Sequence, residues 1–156
     1  MDFMSRRLFV AAAGALLVNG PARANARTLV VFRDENCECC GAWVEHMKAA
    51  GFEADVRIDP LMNRRKTELG VPPALRSCHT AQIGGYVLEG HVPAAEVRRL
   101  LETRPQASGL AVPRMPVGSP GMEAPGAEPD RYDVVLFSGE RISVFATYLG
   151  DQKQAR

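Results

Sequence analysis

The sequence predicts one α/β domain: a mixed β-sheet with flanking helices, an irregular loop rich in Pro, Gly and Met, and an appended C-terminal β-hairpin. Three patterns carry this. Strand-length apolar runs alternate with helical-period segments in the first half of the chain. Two further short runs flank the pair Gly84-Gly85. A proline-rich stretch then separates these elements from a last pair of apolar segments. At 156 residues the chain fits one core.

The elements follow in order. Residues 28–32 (Thr-Leu-Val-Val-Phe) are β-branched and apolar, and the polar Arg33-Asp34-Glu35-Asn36 ends the run. Residues 41–50 are helix formers with Trp43, Met47 and Ala50 at helical spacing, and Gly51 stands where a C-terminal cap belongs. A second strand over 54–58 leads through Asp59-Pro60 into a helix over 61–69, closed by Gly70. After Pro72-Pro73, residues 80–83 and 86–88 read as a hairpin across Gly84-Gly85. A third helix over 94–102 presents Val97, Leu100 and Leu101 and stops before Pro105. The order βαβα-ββα is that of a thioredoxin-like domain, with helices on both faces of a mixed sheet.

Residues 105–130 carry prolines at 105, 113, 116, 120, 125 and 129, so they form an irregular loop, which holds Met115 and Met122. Apolar character returns in 132–137 and 142–148, separated by Ser138-Gly139-Glu140-Arg141, as in a second hairpin. The domain is expected to span 27–150, with 151–156 a frayed tail.

Residues 1–26 read as a signal peptide. Arg6 and Arg7 precede an apolar run over 8–18, and Ala22-Arg23-Ala24 and Ala24-Asn25-Ala26 offer cleavage sites. The apolar run is about half the ~20 residues a spanning helix needs, so no stable membrane insertion is expected after cleavage. Ser5-Arg6-Arg7-Leu8-Phe9-Val10 resembles a twin-arginine export signal, though arginine pairs also occur in Sec-type leaders. A cleaved leader makes an exported mature protein the expectation.

Composition is that of an ordinary globular protein, 46% apolar and 24% charged. Loss of Arg6, Arg7, Arg23 and Asp2 with the leader takes the net charge from +1 to −1. A nearly neutral chain without a long basic block argues against a nucleic-acid or anionic-membrane partner. The run Arg64-Arg65-Lys66 is read as a solvated helix face.

The chain's four cysteines fall in two places, Cys37-Glu38-Cys39-Cys40 and Cys78-His79. The triplet lies at a strand-to-helix junction, where unsatisfied amides and the helix dipole favour thiolates. Cys37 and Cys40 also have the spacing of a C-x-x-C redox pair. In a thioredoxin-like domain the segment leading into the third strand passes beside that helix N-terminus, so Cys78 is expected close to the triplet.

Two plainer readings compete. A pair of structural disulfides is ordinary in an exported protein, but a Cys39–Cys40 bond would be strained, and three cysteines in four positions close almost no loop. A mononuclear zinc site wants four tetrahedral ligands, usually from two knuckles, whereas this chain has one crowded knuckle and one single cysteine. Bridging thiolates can crowd together, and soft sulfur donors select Cu(I), so a multinuclear copper cluster fits the pattern best.

Other soft or nitrogen donors stand near the cysteines. His79 adjoins Cys78, His46 lies two turns along the first helix, and His91 follows the hairpin. Met115 and Met122 are thioether candidates in the loop, each weighed against simple gap filling. Trp43 is read as a core anchor rather than a ligand-facing group.

Three stretches carry a family resemblance: Cys37-Glu38-Cys39-Cys40-Gly41-Ala42-Trp43-Val44-Glu45-His46; Gly70-Val71-Pro72-Pro73-Ala74-Leu75-Arg76-Ser77-Cys78-His79-Thr80; and Gly85-Tyr86-Val87-Leu88-Glu89-Gly90-His91-Val92-Pro93. They resemble the CopG-type copper-resistance proteins, formerly a domain family of unknown function. The resemblance runs from about residue 29 to 148 and includes the loop from Ala111 to Glu123. It implies a periplasmic thioredoxin-like protein that binds copper through Cys37, Cys39, Cys40 and Cys78. The function expected is Cu(I) binding for copper resistance, extended by Cu(I)/Cu(II) redox activity, with a copper export or redox protein as partner. The alternative is a thiol–disulfide oxidoreductase using Cys37 and Cys40.

Overall fold

The structure is a computed structural model that describes residues 27–155. The expected signal peptide lies outside the described residues. The chain runs β1 (Thr28–Arg33), α1 (Glu38–Ala49), β2 (Glu53–Ile58), α2 (Met62–Glu68), a 3-10 turn at Pro73–Leu75, β3 (Thr80–Ile83), β4 (Tyr86–Glu89) and α3 (Ala94–Thr103). It continues through β5 (Gly109–Ala111), β6 (Arg131–Ser138), β7 (Arg141–Leu149) and β8 (Gln152–Lys153).

One sheet holds every strand in the order β2-β1-β3-β4-β5-β6-β7-β8. β1 pairs parallel with β2 and antiparallel with β3; β3–β4 is antiparallel and β4–β5 parallel. The mixed α/β expectation holds, and the first four strands are compatible with the thioredoxin-like arrangement. The β3–β4 turn uses Gly84 and Gly85 at φ 57° and 89°, the left-handed pair that a two-residue hairpin loop requires.

Alternation along the strands assigns the layers. Leu88 and Leu110 join a core with Trp43, Val44 and Met47 of α1 and Val97 and Leu100 of α3. Their neighbours Val87 and Ala111 join a second cluster with Val71, Leu75 and Phe137. Thus α1 and α3 cover one face, and the segment following α2 covers the other. Among the described residues no helix is long and apolar enough to cross a membrane.

Three sequence expectations change. The proline-rich loop contains a strand, β5, which ties the C-terminal hairpin into the main sheet instead of leaving it appended. The tail is not wholly frayed, because Gln152 and Lys153 pair with Leu149 and Tyr148. Lys66 is not on a solvated face: it is 3% exposed and its ammonium lies 2.6 Å from Glu89 Oε1. A helix only seven residues long that packs on a sheet turns part of its circumference inward, and Lys66 falls on that part.

Candidate metal centre

Helix α1 begins inside the cysteine motif. Cys37 is its N-cap, with β-type dihedrals and no side-chain cap, so the first-turn amides face the cysteine cluster without a capping oxygen. The helical turn sends Cys40 into the core at 0% exposure and leaves Cys37 and Cys39 half-buried. Cys37 and Cys40 are joined by a disulfide, and Cys39 and Cys78 are free. Cys39 Sγ lies 3.6 Å from Cys37 Sγ and 3.9 Å from Cys78 Sγ. The four sulfurs all lie within 4.8 Å of one another.

Cys78 reaches the triplet because its segment is pinned from below. Glu89 Oε1 accepts the Ser77 amide at 2.6 Å, and Glu89 Oε2 accepts the Thr80 hydroxyl at 2.6 Å. Lys66 donates to both Glu89 Oε1 and Thr80 Oγ1, which completes a buried network under the Ser77-Cys78-His79 turn. The β3–β4 ladder continues past its last paired residues, with the Gly90 amide donating to the His79 carbonyl at 3.0 Å.

Two buried imidazoles extend the sulfur cluster. His79 Nδ1 stands 3.2 Å and His91 Nε2 3.0 Å from Cys78 Sγ, and the three residues form a second compact donor group. His91 Nδ1 lies 2.8 Å from the Pro120 carbonyl. A carbonyl only accepts, so Nδ1 carries the proton and Nε2 presents its lone pair to Cys78; a second hydrogen bond fixing the tautomer in this way is usual for metal-binding histidines. His79 packs against Trp43 with ring centroids 4.4 Å apart, and its buried Nε2 makes no hydrogen bond among the described residues.

Electrostatics favour neutral groups. Burial, then the neighbouring Cys39, pushes the Cys78 thiol up to about 12. Burial holds His79 well below its ordinary value, helped by His91 and Lys66, and burial also lowers His91. Both rings are therefore lone-pair donors at neutral pH. A metal cation reverses the thiol's preference by stabilising the thiolate.

The proline-rich loop forms the roof. Besides the Pro120 contact, Gly121 (φ +84°) lies so close to α1 that a Cβ there would meet Trp43 N at 2.6 Å and Cys39 O at 2.9 Å. Met122 follows, half-buried and held by its amide to Ser119 O at 2.7 Å. Met115 is 49% exposed and borders a groove with Arg114, Arg131 and Asp133. His46 stands apart from both donor groups: its Nε2 accepts the Ala94 amide at the start of α3, at 3.2 Å.

The profile described as "Protein of unknown function, DUF411" matches residues 75–122. Among solved structures, "Copper resistance protein copG- Form 2" is 45% identical, covers 78% of this chain and 97% of its own, and superposes with a TM-score of 0.73. "Copper resistance protein copG- Form 1" is 46% identical, covers 79% and 98%, and has the same TM-score. The chain belongs to the CopG family of copper resistance proteins. No curated protein matches it.

In this CopG-family chain the profile match contains Cys78, His79, His91 and Pro120, together with Met115 and Met122. The donor set fits copper: four sulfurs lie together, and one of them, Cys78, meets His79 Nδ1 and His91 Nε2. Sequence reasoning named His91 among the histidines without carrying it into the ligand set. The signal was available in the hairpin register. Counting out from Gly84-Gly85, Thr80 faces Glu89, so position 78 faces position 91.

Proposed function

We propose that the mature protein works in the periplasm, binding Cu(I) in a multinuclear cluster of cysteine thiolates for copper resistance. The observation that carries this reading is the meeting of four sulfurs within 4.8 Å of one another, with two further imidazoles on Cys78. Cys37, Cys39, Cys40 and Cys78 are the proposed ligands, joined by His79. Met122 is half-buried whereas Met115 is exposed, and His46 is occupied by the Ala94 amide.

Copper is cargo in this reading. Thiolates are the binding form, so a dithiol reductant, itself oxidised to a disulfide, first delivers two electrons and two protons to the Cys37–Cys40 bond, and the two freed sulfurs then bind metal. A site that assembles with one sulfur oxidation state and not the other is suited to Cu(I)/Cu(II) interconversion alongside an export or redox partner. Anaerobic titration of the reduced protein with Cu(I) against a chromophoric chelator tests the binding claim. The expected result is tight uptake of more than one copper with sulfur-to-copper charge-transfer absorption; no uptake ends the proposal.

The disulfide itself favours a second reading, a thiol–disulfide oxidoreductase in which Cys39, 3.6 Å from Cys37, is the resolving thiol. Insulin reduction that disappears in Cys37→Ser would support it, and inertness toward disulfides would leave copper binding ahead.

A further inference from the structure

The structure divides the donors into two sets of different redox character. One set, Cys37 and Cys40, is consumed by the disulfide. The other, Cys78 with His79 and His91, is untouched by it and has free Cys39 at its edge. We propose that the disulfide form retains a separate mononuclear site for one soft monovalent cation, Cu(I), held by Cys78, His79 and His91 with Cys39 in reach. This inference rests on the copper reading and adds a metal capacity that changes with the state of Cys37 and Cys40.

Geometry supports a site rather than a chance cluster. For a tetrahedral ion with metal–sulfur bonds of about 2.3 Å and metal–nitrogen bonds of about 2.0 Å, neighbouring ligands stand about 3.8 Å apart for two sulfurs and about 3.5 Å for sulfur and nitrogen. The Cys39–Cys78 separation is 3.9 Å, and the two sulfur–nitrogen separations are 3.2 and 3.0 Å. An ion replacing the thiol proton needs only a few tenths of an ångström of opening.

The orientation of the donors is fixed before any ion arrives. His91 Nδ1–H is committed to the Pro120 carbonyl, so its Nε2 lone pair can only point at Cys78. Both rings are fully buried, and the backbone under Cys78 is clamped through Ser77 by Glu89. None of these contacts involves Cys37 or Cys40. A thiolate with two imidazoles, and Cys39 in reach as a fourth donor, is a soft set that suits Cu(I).

The test uses Ag(I), a soft cation of the same charge that neither reduces the disulfide nor is oxidised by it. The mature protein is prepared in the disulfide form, verified by mass and by two remaining free thiols, and titrated with Ag(I) under native mass spectrometry. One bound ion is expected in this form, and more than one in the reduced form. The Cys37→Ser/Cys40→Ser variant, which mimics removal of those sulfurs, should also bind one. His91→Ala, with His91→Gln as a second variant checked for folding by circular dichroism, should weaken Ag(I) binding by the disulfide form at least tenfold.

A disulfide form that binds no Ag(I), while the reduced form binds several, overturns the separate site and leaves the copper cluster standing. Unchanged binding in a folded His91 variant overturns it equally. Failure of the reduced protein to bind Cu(I) is a different result, and it removes the copper reading itself.

Discussion

Lys66 Nζ lies 2.6 Å from Glu89 Oε1 in a buried pair, and that same oxygen receives the amide of Ser77, the residue before Cys78. An ion pair with 4% and 0% exposed side chains is a poor investment in stability alone, because desolvation offsets most of its attraction. Its position under the Cys78 turn gives it a geometric role.

Removing one partner should be costly. Lys66→Met leaves Glu89 buried and uncompensated, and a loss of about 3–5 kcal/mol in urea unfolding is expected. Lys66→Met combined with Glu89→Leu should recover most of that stability while loosening the Ser77 contact. The double variant is then expected to show faster alkylation of Cys78 in the reduced, metal-free protein.

Acid sensitivity should arise in part at Glu96. Burial opposes its ionisation, but hydrogen bonds from Lys153 and Tyr148 and the charge of Arg99 outweigh burial and hold its carboxyl below the ordinary value. A carboxyl depressed in the folded state contributes stability above the unfolded-state value near 4.5, and that stability is lost as pH falls through the folded value. Glu96→Gln should lower stability at pH 7 by about 1–3 kcal/mol and flatten the decline below pH 4.5. Unfolding midpoints from pH 7 down to 3 measure both effects.

Gly121→Ala should lift the roof. The added methyl would meet the Trp43 amide nitrogen at 2.6 Å in a φ +84° backbone, which costs about 1–3 kcal/mol in strain before any clash is counted. The expected outcome is a lower Tm, a red shift of Trp43 fluorescence and weaker metal binding as Pro120 leaves His91. An unchanged Tm would show that the loop does not rest on α1.

Much of this arrangement was legible in the sequence because it is local. The runs at β1 and β2, the Gly84-Gly85 turn and the period of α3 each follow from neighbouring residues. The position of the cysteines at a strand-to-helix junction followed as well, and with it the approach of Cys78. What stayed hidden is non-local. β5 has three residues, Gly109–Ala111, and counts as a strand only through its pairing with β4 and β6. Lys66 looks solvated until Glu89, 23 residues later, is placed beneath it. His91 acquires its orientation from Pro120, 29 residues away in a stretch with no periodic signal.

Cys78 is the one cysteine common to both donor groups, so its loss should be felt most broadly. Cys78→Ser is expected to lower the copper number of the reduced protein and abolish Ag(I) binding by the disulfide form. Cys37→Ser/Cys40→Ser, which cannot form the disulfide, should lower the copper number yet still bind one Ag(I). Loss of Ag(I) binding in that double variant would contradict this division.

Copper K-edge X-ray absorption of the reduced, Cu(I)-loaded protein tests the cluster most directly. The expected spectrum shows Cu(I) in a sulfur-dominated shell with copper–copper scattering, the signature of thiolates that each bridge two metals. A shell of nitrogen and oxygen alone, or sulfur ligation without any copper–copper feature at full loading, would contradict a multinuclear thiolate site built from Cys37, Cys39, Cys40 and Cys78.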